Sequence, residues 1–197
     1  MGKAAGMAHA STAQSQPRDD VDLLESAVRV TGDVVGGVRR DQLSAPTPCP
    51  DYDVGELVDH LVGFATSFAD RSNGVEPPAD ASTVTAGDDP AGAYRAQAGR
   101  LVDGYRSGAG GDRATPVGIA LMEAVAHGWD LARATGQAAP YPDDAVEAAL
   151  AFGRGVLEPK YRGGDRPFGV EVDVPGTAPV LDRFVGFMGR DPEWSAG

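Results

Sequence analysis

Apolar residues recur at three- and four-residue intervals through four long stretches of this chain, whereas strict alternation occurs only once, briefly, near the end. At 3.6 residues per turn that spacing gathers the apolar side chains on one face of a helix. Several such faces joined by irregular connections must bury one another, so the expected architecture is all-α, a four-helix bundle.

The first stretch runs from Asp20 to Arg40 and carries Leu23, Leu24, Ala27, Val30, Val34, Val35 and Val38. Gly32, Gly36 and Gly37 weaken it as a helix, each costing up to about 1 kcal/mol against alanine, and would permit close approach of a neighbour. Arg39 and Arg40 would sit at its end, where cations complement the helix dipole. The segment from Ser44 to Asp51 holds three prolines and reads as a rigid extended connection. Asp53 followed by Glu56 is a capping box, and the stripe Val54, Leu57, Val58, Leu61, Val62, Ala65, Phe68 then predicts a helix to about Asp70. A third helix is expected from Ala91 to Ser107. A fourth should open near Pro116, a residue favoured in a first turn, and stop at Gly136. A further helix is expected from Asp143 to Leu157. Phe168, Val170, Val172 and Val174 alternate with Gly169, Glu171 and Asp173, the pattern of a short strand or extended arm, and a last helical piece spans Ala178 to Gly189. The organisation expected is a disordered leader or tag at 1–18, a helical bundle at 19–157, and a C-terminal arm with a short helix at 158–197 packing on the bundle.

Composition narrows the function classes. Seventeen basic residues face twenty-nine acidic ones, a net charge of −12, so the chain lacks the basic footprint that nucleic acid or an anionic membrane surface requires. No apolar run reaches the roughly 18 residues that would suggest a membrane span. The single cysteine, Cys49, has no internal disulfide partner, which fits a reducing cytosol. The expectation is a cytoplasmic protein with a small-molecule substrate, open to homodimer formation through its helices.

Three histidines are present. His9 falls in the leader; His60 and His127 fall on core helices. Glu123 precedes His127 by four residues and Asp130 follows it by three, so all three share one helix flank. A set of two imidazoles and one carboxylate, His60, Glu123 and His127, suits a divalent metal such as zinc, nickel or iron and leaves coordination positions open. The ordinary alternative is an exposed Glu–His pair worth a few tenths of a kcal/mol, beside a hydrogen-bonded core histidine. A metal-free alternative uses Glu123 and His127 as acid and base. Cys49 in PTPCPD reads as a small residue packed in a tight loop, since no histidine is near it in sequence. Phosphate-binding glycine motifs are absent.

The segments PTPCPDYDVGELVDHLVG, EAVAHGWDLARATG and APVLDRFVGFMGRDPEW resemble the mycothiol-dependent maleylpyruvate isomerase/DinB-like superfamily, in particular its short actinobacterial metal-binding branch. The resemblance covers residues 20 to 195. It implies a DinB-like four-helix bundle with a metal held between helices: His60 matches the first ligand, Glu123 the second and His127 the third. Asp130 matches the acidic residue that follows, which would orient an imidazole. Tyr52 stands where the family usually has tryptophan. The isomerase carries a larger C-terminal domain, whereas this chain has forty residues after Leu157. Maleylpyruvate isomerisation itself is therefore not implied; thiol chemistry of the transferase or isomerase type, with mycothiol as cosubstrate, is.

Overall fold

Helix boundaries follow from local hydrogen-bond chemistry. In the computed structural model, which describes residues 19–164 and 168–196, helix α1 spans Asp20–Gly36 and opens on Asp19, whose carboxylate accepts the amide of Asp22 at 2.9 Å. The leader at 1–18, with His9, lies outside the described residues. Helix α2 (Val54–Ser72) starts with the predicted capping box: Glu56 N–H donates to Asp53 Oδ1 and Asp53 N–H donates to Glu56 Oε2, both at 2.9 Å. Helix α3 (Pro90–Ser107) is capped by Asp89 and ends at Gly108, φ 67°. Helix α4 (Val117–Thr135) has Pro116 at its capping position and stops at Gly136, φ 68°, a conformation that favours glycine. Helices α5 (Asp143–Val156) and α6 (Val180–Phe187) follow.

The end of α1 departs from the sequence reading. The helix stops at Gly36, with no basic residue in its last turn, so Arg39 and Arg40 do not complement its dipole. Arg39 instead pairs with Asp41 at 3.0 Å beside a short 3-10 turn. At the carbonyl end of α1, Gly37 N–H donates to Asp33 O and Val34 O at 3.1 Å, and Gln137, just past α4, adds its side-chain amide to Val34 O at 3.0 Å. Gln42 returns the favour, donating to Thr135 O at 3.1 Å near the end of α4.

Helices α3 and α4 each pack against both α1 and α2, which closes a four-helix ring; α5 lies against α4 and α1, and α6 lies on α5. The arrangement is the all-α, DinB-like bundle expected. Its core includes Leu24, Leu57, Leu121, Val125, Leu131 and Phe184. Gly32 serves as the close-approach point anticipated for α1: a methyl there would stand 3.2 Å from Arg95 Cγ and 3.5 Å from the Tyr94 ring on α3.

Among the described residues no strand forms. The alternating segment is an extended arm, with one isolated bridge between Arg162 and Phe168 and a bond from Val172 N–H to Gly186 O at 2.9 Å. Val172 and Val174 turn inward and are half-buried, while Val170 is 70% exposed. A period of two persists because the arm lies with one side against α6. It builds no ladder because its neighbour is a helix, whose backbone groups are paired within the helix except near its end, where Gly186 O accepts the one bond.

Candidate metal centre

The site forms where α2 faces α4. His60 projects from the middle of α2, and Glu123, His127 and Asp130 lie along one flank of α4. Glu123 Oε2 stands 3.6 Å from His60 Nε2 and 3.5 Å from His127 Nε2. One ligand atom from each of the three residues fits within a span of 4.8 Å, a grouping able to hold a metal ion. His60 Nε2 and Glu123 Oε2 are both shut off from solvent, and neither has a hydrogen-bond partner. Buried polar atoms normally find partners, and these two stand 3.6 Å apart, too long for a hydrogen bond.

His127 is held from behind. Its Nδ1 lies 3.1 Å from Asp130 Oδ2. Asp130 is fully buried, and Arg190 grips both its oxygens, Nη2 at 3.0 Å from Oδ2 and Nε at 3.3 Å from Oδ1. Burial alone would push the Asp130 carboxyl up, but the His127 hydrogen bond and the Arg190 charge outweigh it and hold the group below its ordinary value. An ionised carboxylate only accepts, so His127 donates its Nδ1–H to Asp130 and turns its Nε2 toward Glu123. Glu123 behaves alike: burial pushes its carboxyl up, and His60, His127 and Arg190 together bring it below the usual range. One carboxylate and two imidazoles are the donor types that suit a borderline divalent cation.

The three residues open onto a cleft of about 520 Å³. Tyr52 and Phe64 flank His60, with ring centroids 4.6 and 4.4 Å away. The opposite wall comes from the C-terminal segment, where Phe168, Met188 and Arg190 contribute. Gly128 lets α4 sit deep enough for this. A methyl there would fall 1.9 Å from the Tyr141 hydroxyl and 2.8 Å from Thr31 Oγ1, two buried groups that bond the Ala124 carbonyl.

The family description of the mycothiol maleylpyruvate isomerase N-terminal domain matches residues 24–132, more than half of the chain and the whole stretch that carries His60, Glu123, His127 and Asp130. The chain belongs to that family. Two relatives of similar sequence are uncharacterized proteins of Mycobacterium tuberculosis, from strains CDC 1551 / Oshkosh and ATCC 25618 / H37Rv; each is 29% identical over 163 residues, covering 80% of this chain and 90% of the relative. No solved structure matches the chain. Among the described residues no helix is long and apolar enough to cross a membrane.

The geometry thus brings together His60, Glu123, His127 and Asp130, and adds Arg190 and the Cys49 that the sequence had set aside as a packing residue. Arg190 joins the site from beyond the family match, near the chain end. Cys49 is buried as expected of a loop residue, yet its Sγ lies within 4.8 Å of donor atoms of both His127 and Asp130. Distance in sequence concealed both contacts: Cys49 precedes His127 by a full two helices, and Arg190 follows Asp130 by sixty residues.

Proposed function

We propose that the cleft is the active site of a divalent-metal-dependent enzyme of the thiol transferase or isomerase type, with His60, Glu123 and His127 as the ligands. The observation that carries this reading is that His60 Nε2 and Glu123 Oε2, buried and without a hydrogen bond, stand 3.6 Å apart, with His127 Nε2 3.5 Å from the same oxygen. Zinc is the ion the donor set favours, with nickel or iron as substitutes. Such an ion, when bound, lowers the pKa of a thiol or water placed on an open position. The chain's own residues do the rest. Asp130 fixes the His127 ring, Glu123 supplies the negative charge, and Tyr52 and Phe64 shield His60 from water and wall the substrate space. The family supports a low-molecular-weight thiol such as mycothiol as cosubstrate, and a small electrophile as its partner.

The test is metal analysis of protein purified without chelator, alongside His60→Ala and Glu123→Gln. About one zinc per chain in the parent and loss in both variants is expected. A parent that holds well under one ion per chain under zinc-replete growth overturns the proposal. Thiol-dependent activity that survives chelation but not Glu123→Gln would replace it with acid–base chemistry by Glu123 and His127.

A further inference from the structure

His127 belongs to two groups of potential ligands at once. Its Nε2 faces Glu123 and His60, and its Nδ1 faces Asp130; Cys49, His127 and Asp130 form a second grouping, one donor atom from each lying within 4.8 Å of the others. A neutral imidazole has one lone pair, so it serves one group or the other. A soft divalent ion given a free choice has reason to prefer the side with the cysteine. In this structure a cation already stands there, and it is a guanidinium. Arg190 meets both oxygens of Asp130, its Nη1 donates to Met188 O at 2.8 Å, and its side chain is 10% exposed. Its charge also acts on the Cys49 thiol, whose pKa is raised by burial and partly drawn back by Arg190.

We propose that Arg190 is a positioning residue that occupies the cation place among Cys49, His127 and Asp130, and thereby commits His127 to meet the metal through Nε2 on the cleft side. The inference rests on the metal reading of the cleft. With the guanidinium on both Asp130 oxygens, the carboxylate has its cation and accepts the Nδ1–H of His127, so Nδ1 is not offered to a metal. Without it, Asp130 and Cys49 become ligands, the ring is captured from behind, and the Nε2 lone pair is lost to Glu123 and His60. The second site is therefore a decoy that the chain closes with its own C-terminal segment.

Cobalt(II) reads the difference directly, because a cysteine ligand gives a thiolate-to-cobalt charge-transfer band in the near ultraviolet and a His/Glu/His set does not. The parent chain loaded with Co²⁺ should lack that band. Arg190→Met should gain it, and the Arg190→Met/Cys49→Ser double variant should lose it again. Arg190→Lys, which keeps a cation opposite Asp130, should match the parent. On the metal-free parent, ¹⁵N NMR of the imidazoles should report His127 protonated on Nδ1, a measurement that needs no variant to fold. A proton on Nε2 there, a thiolate band in the parent or in Arg190→Lys, or a folded Arg190→Met that binds Co²⁺ without the band overturns the inference. Failure of the cleft reading shows separately, as His60→Ala that leaves parental Co²⁺ binding unchanged.

Discussion

Breaking the Asp130–Arg190 pair offers a quantitative test of how the site is held. Asp130 is 0% exposed and the Arg190 side chain 10%, so neither charge can turn to water when its partner is removed. Loss of one partner from a buried pair costs about 3–5 kcal/mol, because the survivor is left charged and desolvated. Asp130→Asn and Arg190→Met should each fall in that range in urea unfolding of metal-free protein at neutral pH, with the urea dependence of unfolding free energy unchanged. The double variant, which removes both charges, should cost less than the sum of the two by about 0.5–3 kcal/mol. The pH dependence has a definite sign. Burial pushes the Asp130 carboxyl up, but His127 and Arg190 bring it below its unfolded value, so its contribution is complete above the ordinary carboxylate range near pH 3.9 and drains away as pH falls through the lowered folded value. The parent should therefore lose stability into acid more steeply than Asp130→Asn. Strict additivity of the two substitutions, or single costs under about 1 kcal/mol as for a surface pair, would refute this account.

Gly128→Ala should destabilise the chain by about 1–3 kcal/mol, measured by urea or thermal unfolding, since the new methyl collides with the buried Tyr141 hydroxyl; a cost under about 0.5 kcal/mol would mean that Tyr141 moves freely. Asp53→Ala should cost about 1 kcal/mol through the lost α2 cap, and Asp53→Asn clearly less. Zinc at a hundredfold over its dissociation constant should stabilise the parent by about 2.7 kcal/mol in a thermal-shift assay. His60→Ala should abolish that gain, and an equal shift in the variant would count against His60 as a ligand.

The helices were legible because their signals are local. The Asp53/Glu56 capping box and the glycine after α4 act within one turn, and the structure places both where the sequence does. The end of α1 was not legible for the opposite reason. Gly36 and Gly37 are the only local stop signals, and the Val34 carbonyl near the end takes a second donor from Gln137, about a hundred residues away, which sequence spacing does not reveal. The alternating arm read correctly as extended, but whether it pairs depends on what lies beside it, and α6 lies there. In the site, Glu123, His127 and Asp130 share one flank by helical periodicity alone. That His60 would face them needed the packing of α2 on α4, and Arg190 and Cys49 needed the path of the whole chain.

The two faces of His127 differ in a way that energetics can rank. Behind the ring every polar atom is answered: Nδ1–H by Asp130, both Asp130 oxygens by Arg190, and Arg190 Nη1–H by Met188. In front, His60 Nε2 and Glu123 Oε2 are left without hydrogen bonds, and each unsatisfied buried polar atom costs about 1–3 kcal/mol. A chain selected for stability alone would fill that spot with leucine or close it with one more donor. The same bundle manages complete satisfaction a few ångströms away, so the deficit in front is not a failure of packing. It lies at the cleft, where a divalent cation shared by both atoms would offset it.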